Sequence, residues 1–153
     1  MKDIMKLQVP AKSSCESFAR VAVASFIART DPTLAEINEI KTAVSEGVTN
    51  SIIHGYENEE GIIYIECEIR DNTVKITIAD KGKGIEDIEQ AMTPLFTTNP
   101  DGERSGMGFT VMETFMDKVE VKSLPGIGTR IIMTKTLEEA EEESECGQKC
   151  SSY

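Results

Sequence analysis

The chain has 153 residues, which suits one domain that can bury a core without disulfides or a structural metal. Its formal net charge of −11 argues against direct nucleic-acid binding, because proteins that bind phosphate backbones neutralise them with Lys and Arg. The sequence contains neither a signal peptide nor an apolar run of about 18 residues, so we expect a cytoplasmic protein without a membrane anchor.

The first third of the chain predicts one strand and two helices. Residues 3–9 alternate in polarity, which predicts a short strand. Ser13 and Ser14 follow Pro10 and predict a helix N-cap. The helix would extend over 14–28, with an apolar face at helical spacing made of Phe18, Val21, Ala22, Ser25 and Phe26.

A second, longer helix is predicted from its end signals. Asp31 would be its N-cap and Pro32 its first residue, and the helix would run to about His54 with Gly55 as its C-cap. Gly47 lies in its middle, where glycine costs up to about 1 kcal/mol relative to alanine. That residue therefore indicates close packing or the approach of a ligand. The predicted apolar stripe is Ile37, Ile40, Val44 and Val48.

Two β-hairpins and one short helix are predicted in the remainder. β-Branched, alternating segments separated by turn residues read as hairpins at 62–69 with 74–78 and at 119–123 with 129–134. The residues 92–106 predict a loop, and Gly108 begins a helical pattern. The fold class is α+β: a two-layer sandwich with a mostly antiparallel mixed sheet and helices on one face. The domain is expected to span residues 1–136, followed by an acidic, disordered tail over 137–153.

The first segment with chemical potential lies on the long helix. Glu46, Asn50 and His54 are four residues apart and share one helix face. Asn50 can offer a carbonyl oxygen to Mg²⁺, and Glu46 can accept a proton from a hydroxyl. Taken alone, the same stripe also fits an exposed polar face, and His54 fits a contact with the C-terminal end of the helix dipole.

Two glycine-bearing segments follow. Asp80 ends an apolar strand and precedes Gly82 and Gly84, an arrangement in which the carboxylate can accept a hydrogen bond from an exocyclic amine of a base. Gly106 and Gly108 lead into a helix whose N–H groups and dipole favour a phosphate. The adjacent Arg104, Ser105, Met107 and Phe109 complete this candidate phosphate segment. Each segment alone also fits a plain turn or helix start. The chain has no P-loop, no complete dinucleotide-binding fingerprint and no eukaryotic-type kinase motifs.

Taken in order, these segments resemble the ATP-binding family of gyrases, Hsp90 chaperones, histidine kinases and MutL, which has the Bergerat fold. Gly126, Gly128 and Thr129 resemble the last glycine box of that family, whose threonine lies near the adenine. Four boxes in the family's order are more specific than any one of them.

Longer matches resemble the bacterial anti-sigma F factors of spore formers. They are the segments 16–20, 45–56, 94–98 and 103–109, and the resemblance extends over residues 3 to 135. It implies a protein serine kinase that uses Mg-ATP on an anti-anti-sigma protein and that also keeps a sporulation sigma factor from core RNA polymerase. A homodimer is expected.

The resemblance also implies roles for individual residues. Glu46 would be the catalytic base, assisted by Arg104, and Asn50 the Mg²⁺ ligand. Asp80 would contact adenine, and Arg20 would contact the protein partners. The remaining residues expected to bind ATP are Gly82, Gly84, Thr97, Thr98, Ser105, Gly106, Met107, Gly108, Phe109 and Thr129. Three alternatives stay open: a related kinase of the general stress response, a non-catalytic ATP-dependent binding module, and an isolated histidine-kinase ATPase domain.

Overall fold

A computed structural model describes residues 2–93 and 108–139 of the protein. Its strands are β1 (Lys2–Pro10), β2 (Ile62–Arg70), β3 (Thr73–Asp80), β4 (Lys118–Leu124) and β5 (Gly128–Thr136). Its α-helices are α1 (Ser13–Ile27), α2 (Leu34–Asn50), α3 (Ile88–Met92) and α4 (Gly108–Phe115). A 3₁₀ turn at Ala28–Thr30 follows α1, and a π-helical turn at Ser51–Gly55 continues from α2.

The five strands form one sheet in the order β1-β2-β3-β5-β4, and every pair of neighbours is antiparallel. The predicted α+β class and both predicted hairpins are confirmed. The short helix α3 was not predicted. Most of the predicted loop at 92–106 lies outside the described residues.

The core lies between one sheet face and the helices. Alternate residues of β2 and β3 are buried because successive side chains of a strand point to opposite faces. The α2 stripe packs on this face as predicted, with Ile40, Val44 and Val48 fully buried and Ile37 partly buried. A Cβ atom added at Gly47 would lie 2.5 Å from Ile78 Cδ1, which confirms close packing at this glycine.

The predicted face of α1 is wrong. Phe18 and Val21 are 57% and 53% exposed, whereas the buried residues are Ala19, Val23 and Ile27. Both sets occur at helical spacing, and of the predicted set Phe26 is partly buried against the core. The predicted cap is also wrong, because Lys12 occupies the N-cap position without a side-chain hydrogen bond and Ser13 is already helical.

The start of α2 lies at Thr33 rather than at Asp31. The Glu36 N–H donates to Thr33 Oγ1 (3.1 Å), and the Thr33 N–H donates to Glu36 Oε1 (2.9 Å), which forms a capping box. Asp31 instead has a left-handed backbone with φ of 54° and ends the preceding 3₁₀ turn. At the other end, regular α-helix stops at Asn50, and the π turn carries the chain to Gly55.

The chain continues to pack beyond the last strand. Leu137 is buried, its N–H donates to the Asn72 carbonyl oxygen, and the Glu138 N–H donates to Glu36 Oε2 at 2.9 Å. The rest of the predicted tail, from residue 140, lies outside the described residues. Within the described part, the helices are too short or too polar to cross a membrane.

Candidate functional site

The polar stripe of α2 has the predicted arrangement. Glu46 and Asn50 are half-buried on one side of the helix, while Val44 and Val48 are buried on another. His54 lies within the π turn, whose wider backbone displaces it from regular α-helical spacing. Burial, followed by the charge of Lys83, lowers the pKa of His54 below its ordinary value. His54 is therefore neutral at pH 7.

Asp80 lies at the end of β3 and is 6% exposed. Its Oδ1 accepts the Gly82 N–H at 2.9 Å, which fixes the carboxylate relative to the turn that follows the strand. Thr129 of β5 is the cross-strand partner of Asp80 and is also buried. Adjacent carboxylate and hydroxyl groups at one sheet end provide acceptors and a donor for the edge of a base.

Two glycines allow the backbone to close around Asp80. A Cβ atom at Gly55 would lie 2.9 Å from both Cγ and Oδ2 of Asp80. A Cβ atom at Gly82 would lie 2.1 Å from the Gly55 carbonyl oxygen, and that oxygen accepts the Lys83 N–H at 2.9 Å. Glycine is thus required at position 82 by the contact between the turn after β3 and the π turn. This contact explains Gly82 without the approach of a base.

The turn after β3 is also joined to the β4–β5 hairpin. Gly84 has φ of +73°, which favours glycine, and its Cβ position would lie 2.2 Å from the Leu124 carbonyl oxygen. Ser123 Oγ accepts the Ile85 N–H at 2.7 Å and lies 2.9 Å from Thr129 Oγ1. The β4–β5 hairpin, which contains the predicted glycine box, therefore contacts the turn that follows Asp80.

The start of α4 faces the acid of α2. A Cβ atom at Gly108 would lie 3.1 Å from Glu46 Oε2, so the carboxylate is in contact distance of the first helical residue. Phe109, predicted to contact ATP, is 6% exposed and belongs to the hydrophobic core. The other predicted residues of this region, namely Thr97, Thr98, Arg104, Ser105, Gly106 and Met107, lie outside the described residues.

Two residues of the site were missed from the sequence. Ser51 Oγ is buried and finds no hydrogen-bond partner among the described residues. Ser51 lies between Gly47, which faces Ile78, and Gly55, which faces Asp80. Gly55 was predicted only as a helix cap. Its position directly after His54, at the end of the polar stripe, could have indicated that it belongs to the site.

Arg20 lies on α1. Its side chain is 37% exposed and forms a 3.8 Å ion pair with Glu16, while its Nε is buried without a hydrogen-bond partner among the described residues. Arg20 thus shares α1 with the exposed Phe18 and Val21.

The architecture corresponds to a known family. The profile of the family described as histidine kinase-like ATPase domain matches residues 9–135. The chain is 61% identical over 138 residues to the anti-sigma F factor of Clostridium novyi, covering 90% of this chain and 96% of that relative. It is 62% identical over 132 residues to the anti-sigma F factor of Clostridium beijerinckii, covering 86% and 92% of the two chains.

Solved structures have the same fold. The RsbU and RsbW domains of a Mycobacterium tuberculosis protein superpose with a TM-score of 0.66 at 18% identity, covering 90% of this chain and 33% of that longer chain. The catalytic domain of the histidine kinase ThkA superposes with a TM-score of 0.53 at 18% identity, covering 88% and 96% of the two chains. The chain belongs to the histidine kinase-like ATPase domain family, and its curated relatives within that family are anti-sigma F factors.

The residues present fit a nucleotide. Asp80, Thr129 and the unpartnered Ser51 hydroxyl supply polar atoms at one end, and the Glu46–Gly108 contact lies at the start of a helix. Within residues 2–93 and 108–139, no three His, Cys, Asp or Glu side chains are grouped as metal ligands. A magnesium ion here would take most of its ligands from phosphates and water, as Mg²⁺ commonly does.

Proposed function

We propose that the protein is a cytoplasmic anti-sigma factor with protein serine kinase activity. It would bind sigma factor F, keep it from core RNA polymerase, and use Mg-ATP to phosphorylate a serine of an anti-anti-sigma protein. The observation that carries the kinase assignment is the position of Glu46 Oε2, 3.1 Å from the Cβ site of Gly108. This contact brings the candidate base to the helix start that suits a phosphate. The relatives named anti-sigma F factor support the choice of partners.

Each residue has a distinct task in this mechanism. Asp80 accepts a hydrogen bond from the exocyclic amine of adenine, while Thr129 and Ser51 bind polar atoms or water around it. Asn50 would hold a magnesium ion, whose charge would offset that of the phosphates. Glu46 orients the serine hydroxyl of the substrate and takes its proton as the oxygen attacks the terminal phosphorus and the bond to ADP breaks. Most of the catalytic effect would come from positioning and charge stabilisation.

The remaining ATP contacts are proposed from the sequence. Gly106, Met107, Ser105, Thr97 and Thr98 would surround the phosphates. Arg104 would stabilise charge on the transferred group, a role that its planar guanidinium suits.

The partner-binding surface is proposed to involve α1 and β1. Arg20 would contact the sigma factor and the anti-anti-sigma protein. The exposed apolar residues Ile4, Phe18 and Val21 (45%, 57% and 53% exposed) lie on these two elements. The outer edge of β1 pairs with no strand among the described residues. Such an edge and apolar patch are suited to a homodimer or a protein partner.

The decisive test is Glu46→Gln, which keeps the shape of the side chain and removes its basicity. We expect nucleotide affinity to change by less than about threefold while phosphoryl transfer falls roughly 10²- to 10⁴-fold. Calorimetry measures binding, and labelled ATP with a lysate of the host reveals transfer to a small protein. Phosphoamino-acid analysis identifies serine, and a pull-down identifies the sigma factor.

The outcomes separate the candidate functions. Undiminished transfer by the Glu46→Gln variant would show that Glu46 is not the base. Tight nucleotide binding without any labelled protein would favour a non-catalytic binding module. Capture of a sigma factor of the stress response would replace sigma factor F in the proposal and leave the chemistry unchanged.

A further inference from the structure

The sheet face opposite the helices carries an unusual pair of like charges. Lys122 of β4 and Arg130 of β5 are direct cross-strand partners, and both are exposed. Their side chains share the open face because the residues that flank Arg130, Thr129 and Ile131, are buried on the helix side. Like charges directly opposite each other destabilise a sheet, by roughly 0.2–1 kcal/mol for such a pair. An anion bound between them would remove that repulsion.

A groove lies next to this pair. The cross-strand row continues from Arg130 to Ala79 and then to Tyr64, so the small alanine lies between two large side chains. Lys81 extends over the Tyr64 ring, with Nζ 5.2 Å from the ring centroid. The resulting open groove has a volume of about 530 Å³, and Leu124 also lines it. It is lined from the open face by Ala79, Lys122 and Arg130 and, at the strand ends, also by Asp80 and Thr129 of the candidate nucleotide site.

The groove cations differ from the other cations of the same face. Lys2 and Lys6 form ion pairs with Glu68 and Glu66, and Lys118 forms one with Glu120 at 2.6 Å. By contrast, Lys81, Lys122 and Arg130 form no ion pair with any carboxylate in residues 2–93 or 108–139. Three cations without an ion pair thus meet in one groove of a chain whose net charge is −11, and of these only Lys122 contributes to lowering the pKa of a carboxylate, that of Glu120, for which Lys118 is the main cause.

We propose that this groove binds the end of the glutamate run, around Glu145, of the chain's own C-terminal segment. The run comprises Glu138, Glu139, Glu141, Glu142, Glu143 and Glu145, and the next cation is Lys149. The family match ends at residue 135, so the run is an addition to the matched domain. Its charge is complementary to the groove, and attraction between such groups is moderated by solvent and salt.

The geometry allows the run to reach the groove. The last described contacts fix Leu137 and Glu138 at the far end of β5, beside Asn72 and Glu36. Arg130 precedes Thr136 by six residues of one strand, a distance of about 20 Å. Glu145 lies seven residues after Glu138, about 23 Å of extended chain, so together with the lengths of the glutamate and lysine side chains it can reach the groove along the open face.

The test is zero-length carbodiimide cross-linking of the full chain, which joins carboxylates to lysine amines in contact. Mass spectrometry should find Glu145 and its nearest glutamates joined to Lys81 or Lys122 at least about fivefold more often than to Lys75, and about 0.5 M salt should suppress the links. Links from Glu138 or Glu139 are not counted, because Glu138 is held at the end of β5 near Thr134, the cross-strand partner of Lys75. Lys75 is an exposed lysine on the same face, outside the groove. Because Arg130 has no reactive amine, Arg130→Glu changes the groove charge without removing a reactive site.

The variants and an isotope mixture make the result decisive. Arg130→Glu should abolish the links to Lys122, whereas the matched control Lys75→Glu should leave them unchanged. Arg130→Gln replaces the first variant if circular dichroism shows that Arg130→Glu does not fold. Equal linking to Lys75, links that persist in both Arg130 variants, or links found only between ¹⁵N-labelled and unlabelled copies would overturn the proposal.

Discussion

Replacing Gly55 by alanine isolates the position of the Asp80 carboxylate from its charge. The backbone of Gly55 is not in the left-handed region, so alanine introduces no backbone strain there. Its methyl group would lie 2.9 Å from Asp80 Cγ and Oδ2, about 0.5 Å inside the 3.4 Å at which ordinary contact begins. The carboxylate must therefore rotate or move, although its charge is unchanged.

The expected loss follows from the hydrogen bonds of that carboxylate. Asp80 Oδ1 accepts the Gly82 N–H at 2.9 Å, and a displaced carboxylate loses the geometry of this bond and of the bond proposed to adenine. A hydrogen bond to a charged group contributes about 1.5–3 kcal/mol. Nucleotide affinity should therefore fall by roughly 10- to 150-fold.

The assay is calorimetric titration with ADP and ATP, together with Asp80→Asn and the double variant. If Gly55 acts through Asp80, the double variant should bind nucleotide about as weakly as Asp80→Asn alone, since coupled neighbours are not additive. Val21→Ala is the control, because that side chain is exposed on α1, an element that contains neither Gly55 nor Asp80. Near-native affinity of Gly55→Ala, beside a large loss for Asp80→Asn, would refute the reasoning.

Three further predictions test the fold. Val23→Ala should lower the free energy of unfolding by about 2 kcal/mol, and Val21→Ala should lower it by less than about 0.5 kcal/mol, because only Val23 is buried. Equal losses in denaturant titrations would contradict the assigned face of α1. Thr33→Ala should lower the free energy of unfolding by about 1 kcal/mol, because it removes the N-cap of α2. Asp31→Gly should not lower it, because glycine readily adopts the φ of 54° found at this position. The reverse order would show that Asp31 is the cap. The pKa of His54 is lower in the folded protein than its ordinary value of 6.5, so the unfolded chain binds more protons in the pH range between the two values. The free energy of unfolding should therefore fall as the pH drops below 6.5. His54→Gln should remove this part of the pH dependence.

The sequence alone was sufficient to predict those features that depend on a local pattern. Both hairpins were predicted because alternating polarity and turn residues lie within a few positions of each other. The stripe of Glu46 and Asn50 was predicted because helical spacing alone places them on one face. The buried face of α1 was predicted wrongly because two sets of apolar residues have helical spacing. Only the position of the sheet decides which of the two sets is buried.

The pocket wall around Asp80 could not be predicted from spacing. Gly55 and Asp80 are 25 residues apart, and their contact depends on where the π turn directs the end of α2. The Thr33–Glu36 capping box, in contrast, has a local spacing that could have been predicted, and only the second contact of Glu36, with the Glu138 N–H, depends on distant segments. Burial tends to raise the pKa of Glu36, but these backbone hydrogen bonds, the Thr33 hydroxyl and the charge of Lys135 lower it overall. Such shared acceptors appear only once distant segments have met.

Consecutive residues of β3 and β5 link the two proposed binding surfaces. Asp80 and Thr129 are buried in the proposed nucleotide site, and they also line the groove together with their strand neighbours Ala79 and Arg130. Since side chains alternate along a strand, these strand ends cannot move on one face without moving on the other. A Cβ atom at Gly128 would lie 2.1 Å from the Asp80 carbonyl oxygen, so the two strand ends are also in close backbone contact. We therefore expect a change in the position of Asp80 to alter the distance between Arg130 and its bound carboxylate.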